Sequence, residues 1–159
     1  MKVKIREAKL NELEEVAELK MKLDKYERKF DKIIKVCSKN CIATYLKKDV
    51  LEKRKGKIFI AKDEETNKIV GYCNGWIYKA DWLQYKNVKL GYISDCFILK
   101  EYRRMGIARK LIGKMLKWFK SKKIRISYLE VYLKNKNAHN VWGRLDFKDL
   151  EINMRKMIR

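Results

Sequence analysis

A chain of 159 residues with 41 Lys and Arg against 20 Asp and Glu, a net charge of +21, is one domain's length and apolar enough to bury a core. It has no apolar run of 18 residues and no signal-peptide pattern, so a membrane span is excluded and a soluble, cytoplasmic protein is expected. Four cysteines without a C-x-x-C, and His139 as the sole histidine, argue against zinc and disulfides; buried, reduced thiols are expected.

Residues 3–6 alternate like a first strand. Asn11, with Glu14 three positions on, reads as a capping box opening a helix. Leu13, Val16, Ala17, Leu19, Leu23 and Tyr26 form its apolar face, and Glu12, Glu15 and Glu18 an acidic one. Residues 28–55 predict a second helical region, broken near 38–40, with Phe30, Ile33, Ile34, Cys37, Ile42, Tyr45, Leu46 and Val50 facing inward. Residues 58–61 and 69–78 predict an antiparallel hairpin around the polar turn 63–68. The loop 80–90 carries Trp82 and Tyr85 near Trp76 and Tyr78; these aromatics either line an acceptor pocket or pack over the sheet. A strand over 92–99 leads into a helix over 107–119, with Ile107, Ala108, Leu111, Ile112, Met115, Trp118 and Phe119 on its apolar rows. A strand over 126–132, a short helix over 137–145 and a last strand over 151–158 complete one domain spanning residues 1–159.

Between the central strand and its helix stands Arg103-Arg104-Met105-Gly106-Ile107-Ala108. A glycine turn into a helix start aims free backbone N–H groups at one spot, where the helix dipole and the arginines add positive charge. Such a turn suits a phosphate or pyrophosphate, although glycine there also serves simple steric need. Neither G-x-G-x-x-G nor G-x-x-x-x-G-K-[ST] occurs, which argues against a nucleotide-fold dehydrogenase or a P-loop ATPase. Residues 1–80 carry a net +8 and residues 81–159 a net +13, so the excess leans toward the half holding the turn. That charge fits a polyanionic cofactor, a nucleic acid, or a general compositional taste for lysine.

These residues resemble a known family. Arg103 to Ala108 fits the R/Q-x-x-G-x-G/A signature of the GNAT acyl-CoA N-acyltransferases, with Lys100 where the lead-in usually has proline. A second block, Leu129-Glu130-Val131, Asn135, Ala138, Trp142 and Leu145-Asp146-Phe147, resembles that family's L-E-V-x3-N-x2-A-x3-Y-x2-L-G-F. The resemblance implies an α/β fold with a mixed, mostly antiparallel sheet flanked by helices, whose central strand–turn–helix binds acyl-CoA. It implies acetyl-CoA as co-substrate, no metal, and transfer of the acetyl group to an amine by direct attack.

Acyl transfer from a thioester sets four demands. The diphosphate must be held, which falls to Arg103, Arg104, Met105, Gly106, Ile107, Ala108 and Arg109. The oxyanion needs a donor, and the resemblance implies a backbone N–H near Ile98, with Cys96, Phe97 and Ile98 facing the pantetheine arm through their main chain. Asn135 matches an asparagine that looks toward that arm, or is a turn residue. The acceptor ammonium must lose a proton; Glu130, expected to be partly buried between apolar neighbours, resembles the base of protein N-terminal acetyltransferases, and Asp95 resembles the acidic position of members acting on polyamines. Either carboxylate can instead be structural. The leaving thiolate needs an acid, but the family's usual tyrosine is Trp142 here, which leaves Tyr132 or water. The expected acceptor is a protein or peptide N-terminus or a small polyamine-like amine, with no membrane partner and homodimerisation open. A non-catalytic acyl-CoA sensor or a basic nucleic-acid-associated module is the alternative.

Overall fold

The computed structural model describes residues 2–80 and 87–158, and the expectations for Trp82 and Tyr85 lie outside them. Five strands form one sheet in the order β1 (Val3–Glu7), β2 (Lys57–Asp63), β3 (Ile69–Lys79), β4 (Lys89–Ile98) and β5 (Ser127–Tyr128). The first four run antiparallel in succession, and β5 lies parallel to β4. The helices α1 (Leu13–Glu27) and α2 (Lys39–Tyr45), followed by a π-helical segment (Leu46–Lys53), cover one face; α3 (Ile107–Ser121) covers the other, and α4 (Lys136–Gly143) follows β5.

The alternation of β2 shows why two layers are needed. Ile58 and Ile60 pack with Val16, Leu46 and Val50 on the α1 face, while Phe59 and Ala61 pack with Leu111, Ile112 and Met115 under α3. Both sets are buried, so the strand reads as an unbroken apolar run covered on two sides. Gly91 lets α3 sit close: a Cβ there would lie 2.5 Å from the Phe119 ring.

Four local expectations are corrected. The α1 cap is not Asn11 with Glu14; a short 3-10 turn, Leu10–Glu12, comes first, and Glu12 accepts the Lys9 N–H at 2.9 Å. Glu12 is therefore not on a solvated acidic face but buried, with both carboxylate oxygens bonded to Arg6 at 2.5 and 2.7 Å. Residues 28–38 are turns and irregular chain rather than helix, because Asp31 Oδ1 captures the Ile33 N–H at 3.1 Å in a local bond that competes with helical pairing; Ile33 is exposed. The helix resumes only where Ser38 Oγ caps the Cys41 N–H at 3.3 Å.

At the C-terminal end, β5 is two residues long instead of seven, and residues 151–158 form no strand. So short a β5 offers no edge on which a further strand could pair; the tail is held by the Arg155–Asp31 pair at 2.8 and 3.0 Å. The cysteines are free, but only Cys73 is buried and Cys41 is exposed. Among the described residues no helix is long and apolar enough to cross a membrane.

Candidate active site

Strand β4 is the axis of the site. On one side it pairs with β3 along its length, but with β5 only at Gly91–Ser127 and Tyr92–Tyr128. Beyond Tyr92 the two parallel strands part, leaving the β4 edge open from Ile93 to Ile98. A bulge sits in the same place: Gly75 pairs with Ile93 and Asn74 with Asp95, so Ser94 is the extra residue. Ile93 faces α3, and the bulge turns Asp95 to the opposite face, beneath α1.

The bulge also sets which backbone groups face the open edge. The Asp95 N–H reaches Asn74 Oδ1 at 2.8 Å and the Leu99 N–H reaches Val70 O at 2.9 Å, so odd-numbered residues after the bulge look toward β3. Cys96 and Ile98 then direct their N–H and C=O into the gap between β4 and β5. Phe97, expected with them, instead pairs its backbone with Tyr72 and buries its ring in the α1 core.

At the end of this edge the chain turns into α3. Gly106 is left-handed at φ 73°, as is Arg104 at φ 64°, and the surroundings of Gly106 are open: an added Cβ would meet nothing within 4 Å. The first N–H to find a helical acceptor at Gly106 is that of Lys110, at 3.1 Å, so those of Ile107, Ala108 and Arg109 have no intrahelical partner. Met105, Arg104 and Arg109 are exposed around them. Arg103 is partly engaged: its Nε donates to Ile98 O at 2.9 Å, and its guanidinium lies 5.6 Å over the Phe97 ring. The turn is an open, positively charged cradle adjoining the gap, and its backbone geometry suits a diphosphate.

The other half of the site is acidic, and of its members only Asp95 was expected. Lys20, Asp24 and Glu27 stand at i, i+4 and i+7 on α1, one row that faces the sheet. Lys20 Nζ donates to Asp24 at 3.0 Å and to Asp95 at 3.3 Å. Burial pulls the Lys20 ammonium down, but Asp95 and Asp24 overcome it and hold it above its ordinary range. Burial pushes the Asp95 carboxyl up against the pull of Lys20. Glu27, half-buried, is raised to about 7, by burial first and then by Asp95 and Asp24, with Lys20 opposing. Below them the Tyr72 hydroxyl, Asn74 Nδ2 and Asp95 Oδ2 are sealed from solvent without a hydrogen-bond partner. A polar row inside an otherwise apolar helix face was the available signal for Lys20 and Asp24; nothing local marked Tyr72 or Asn74.

The remaining expected residues fall as follows. Glu130 is exposed, not partly buried, because β5 ends before it; it accepts from the Tyr92 and Tyr128 hydroxyls at 3.1 and 3.4 Å. Tyr132 stacks on Phe30 at 6.1 Å, and burial, then Glu27 and Asp31, raise its phenol. Asn135 is buried as the cap of α4, accepting from the Ala138 N–H at 3.2 Å and from the Tyr26 hydroxyl at 3.4 Å. Trp142 packs its ring against Phe147 in the α3-side core. Trp76 and Tyr78 gather around Tyr92 on the sheet. Among the described residues no group of three His, Cys, Asp or Glu side chains is placed to hold a metal ion.

The sequence matches the family model described as the acetyltransferase (GNAT) family over residues 14–147, more than half of the chain. No curated protein matches it. Among solved structures, a point mutant of the BH1408 protein from Bacillus halodurans has a TM-score of 0.82 at 21% identity, over 98% of this chain and 99% of that one. A possible acetyltransferase from Clostridium difficile 630 gives 0.75 at 24%, over 99% and 97%. The aminoglycoside N-acetyltransferase AAC(6')-Iy, solved with CoA, gives 0.77 at 17%, over 99% and 95%. At these identities the structural likeness is one of fold. By the sequence match and the architecture together, the chain belongs to the GNAT acetyltransferase family.

Proposed function

We propose that the protein is an N-acetyltransferase that moves the acetyl group of acetyl-CoA to a primary amine by direct attack within a ternary complex. The observation that carries this reading is the parting of β4 from β5 next to the Gly106 turn, which puts unpaired backbone groups beside a diphosphate cradle. Arg104, Arg109 and the N–H groups of Ile107 and Ala108 hold the diphosphate. Met105 lies beside it. The backbone of Cys96 and Ile98 meets the pantetheine arm, and the Ile98 N–H stabilises the oxyanion as the thioester carbon becomes tetrahedral. Asn135 supports this region from the α4 cap. Tyr132, stacked on Phe30 and set near Glu27 and Asp31, is the proton source for the thiolate in place of the absent family tyrosine.

The acceptor approaches from the α1 side, where Asp95 helps hold a cationic group. Glu130, on the surface beyond the end of β5, sits at the rim. The decisive experiment follows release of free thiol from acetyl-CoA over a panel of amines and peptide N-termini. Turnover on at least one amine is expected; silence across the panel, with acetyl-CoA still raising the melting temperature, would leave a cofactor-binding protein without transferase activity.

A further inference from the structure

In a chain of net charge +21, three carboxylates converge at one place under α1. Asp24 and Asp95 share Lys20, and Glu27 stands one turn further along the same row of α1. With all three carboxylates ionised and Lys20 charged, the cluster carries a net −2, and no other cation hydrogen-bonds to Asp24 or Asp95 among the described residues. Three polar atoms aim into its floor unsatisfied: the Tyr72 hydroxyl and Asn74 Nδ2, both fully buried, and Asp95 Oδ2, nine-tenths buried. Buried polar atoms without partners are costly, and a site left with them is incomplete until something fills it.

Resting on the transferase reading above, we propose that this cluster is the acceptor site, that Glu27 takes the proton from the attacking ammonium, and that the acceptor is a diamine or longer polyamine rather than a single-amine N-terminus. One cation neutralises the reacting end as it hands its proton to Glu27, and a second, held near Asp24 and Asp95, offsets the charge that Lys20 leaves over. A peptide N-terminus brings only one cation. Tyr72 and Asp95 Oδ2 supply acceptors for an ammonium, and Asn74 Nδ2 a donor for an accompanying water or hydroxyl.

The step balances. The R–NH3+ group gives one proton to the Glu27 carboxylate, leaving R–NH2 and a neutral acid. The nitrogen lone pair forms the N–C bond to the thioester carbon, and the C–S bond breaks with its electron pair on sulfur. Tyr132 gives its proton to the thiolate and regains one from the surplus proton of the new amide nitrogen, Glu27 returns its own to solvent, and the net yield is amide, free thiol and one proton. The charged groups that set the titration of Glu27 are Lys20 and Asp24 on α1 and Asp95 on β4; Tyr72 on β3 and Tyr132 beyond β5 also lie near it, and their phenols are raised by it. Its rise to about 7 matches a base that is half ionised near neutrality.

The test compares 1,4-diaminobutane with 1-aminobutane and an alanine tripeptide, in the full-length protein saturated with acetyl-CoA. The diamine is expected to exceed both single amines in kcat/KM by about 10-fold or more. The acid limb of its pH profile should fall near 7. Glu27→Gln should lower kcat/KM by about 100-fold and remove that limb, while Glu27→Asp keeps a limb at shifted pH. Calorimetric titration of 1,4-diaminobutane into the CoA-loaded protein gives a readout besides turnover: binding should weaken at least about 10-fold in Glu27→Gln. A full-strength Glu27→Gln enzyme with an unchanged pH profile overturns the proposal, as does equal use of the single amines. Diamine binding that depends on Glu27 without any turnover would uphold the acceptor site and sink the transferase reading. Turnover on peptides with no diamine binding would do the reverse.

Discussion

At the start of α3 the chain sets Arg103, Arg104 and Arg109 on the surface within seven residues, around backbone donors that need no partner from elsewhere in the fold. Beneath α1 it does the opposite. Residues from 20 to 95 bring Asp24 and Asp95 out of water beside the half-buried Glu27, and Lys20 offsets part of their charge. The first arrangement is local, exposed and cationic, and its strength lies in preorganised N–H groups. The second is assembled from distant segments, buried and anionic, and it carries unsatisfied atoms. A cradle for a soluble diphosphate gains from being open, whereas a carboxylate that must take up a proton near neutrality gains from excluding water.

The sharpest way to break this comparison is at residue 106. A valine at φ 73° is strained by about 1–2 kcal/mol, but its Cβ would meet no neighbouring atom within 4 Å, so the fold should survive. The added methyl groups would stand where the diphosphate must approach the backbone. Gly106→Val should therefore abolish the rise in melting temperature given by acetyl-CoA, whereas Gly106→Asn, which tolerates left-handed geometry, should keep part of it. A full shift in the valine protein would show that the turn does not hold the cofactor.

Removing Lys20 from under α1 comes next in size. Lys20→Met leaves two buried carboxylates without their counter-charge, and losing one partner of a buried pair costs about 3–5 kcal/mol. The loss should be largest near pH 8 and shrink toward pH 5, as Glu27, raised to about 7, takes up a proton. Urea unfolding at the two pH values measures it; a loss independent of pH would mean that packing of the lysine stem, not charge, is what matters.

The same contrast explains what could be read in the sequence. Arg103 to Ala108 lie next to one another, so spacing alone exposed the cradle, and the hairpin and the helix α3 were legible from periods of two and about 3.6 residues. The acceptor cluster was not. Only Asp95 among its members was singled out, because its facing depends on a one-residue bulge at Ser94 that no local pattern encodes. Glu130 was misplaced for a related reason: the apolar run around it suggested a strand, but the sheet parts from it two residues earlier, and Glu130 emerges into solvent between two tyrosines. Residues 28–38 held the right apolar content for a helix and lost it to the side chain of Asp31.

The smallest effects come from two glutamates of identical chemistry and opposite surroundings. Glu27 is raised to about 7 by burial and neighbouring carboxylates, so between its unfolded value near 4.5 and 7 the folded state binds the extra proton. Stability from this group is therefore greatest below pH 4.5 and is lost as pH rises through 7. Glu27→Gln should stabilise the protein by on the order of 2 kcal/mol at pH 8, after discounting for solvent around a half-buried group, and by almost nothing at pH 4.5. Glu12 is lowered to about 2, first by its hydrogen bonds to Arg6. Its contribution is present above pH 4.5 and disappears as pH falls toward 2, so Glu12→Gln should destabilise by on the order of 1 kcal/mol at neutral pH. Thermal unfolding across pH 3–8 gives both signs at once. A carboxylate that weakens the fold where the cell's pH ionises it is one whose placement stability alone does not explain, and Glu12, bonded to Arg6 away from the gap, is the control that any buried glutamate need not behave so. If Glu27→Gln also destabilises at pH 8, then Glu27 is a structural partner like Glu12, and the acidic half of the site loses its proton acceptor.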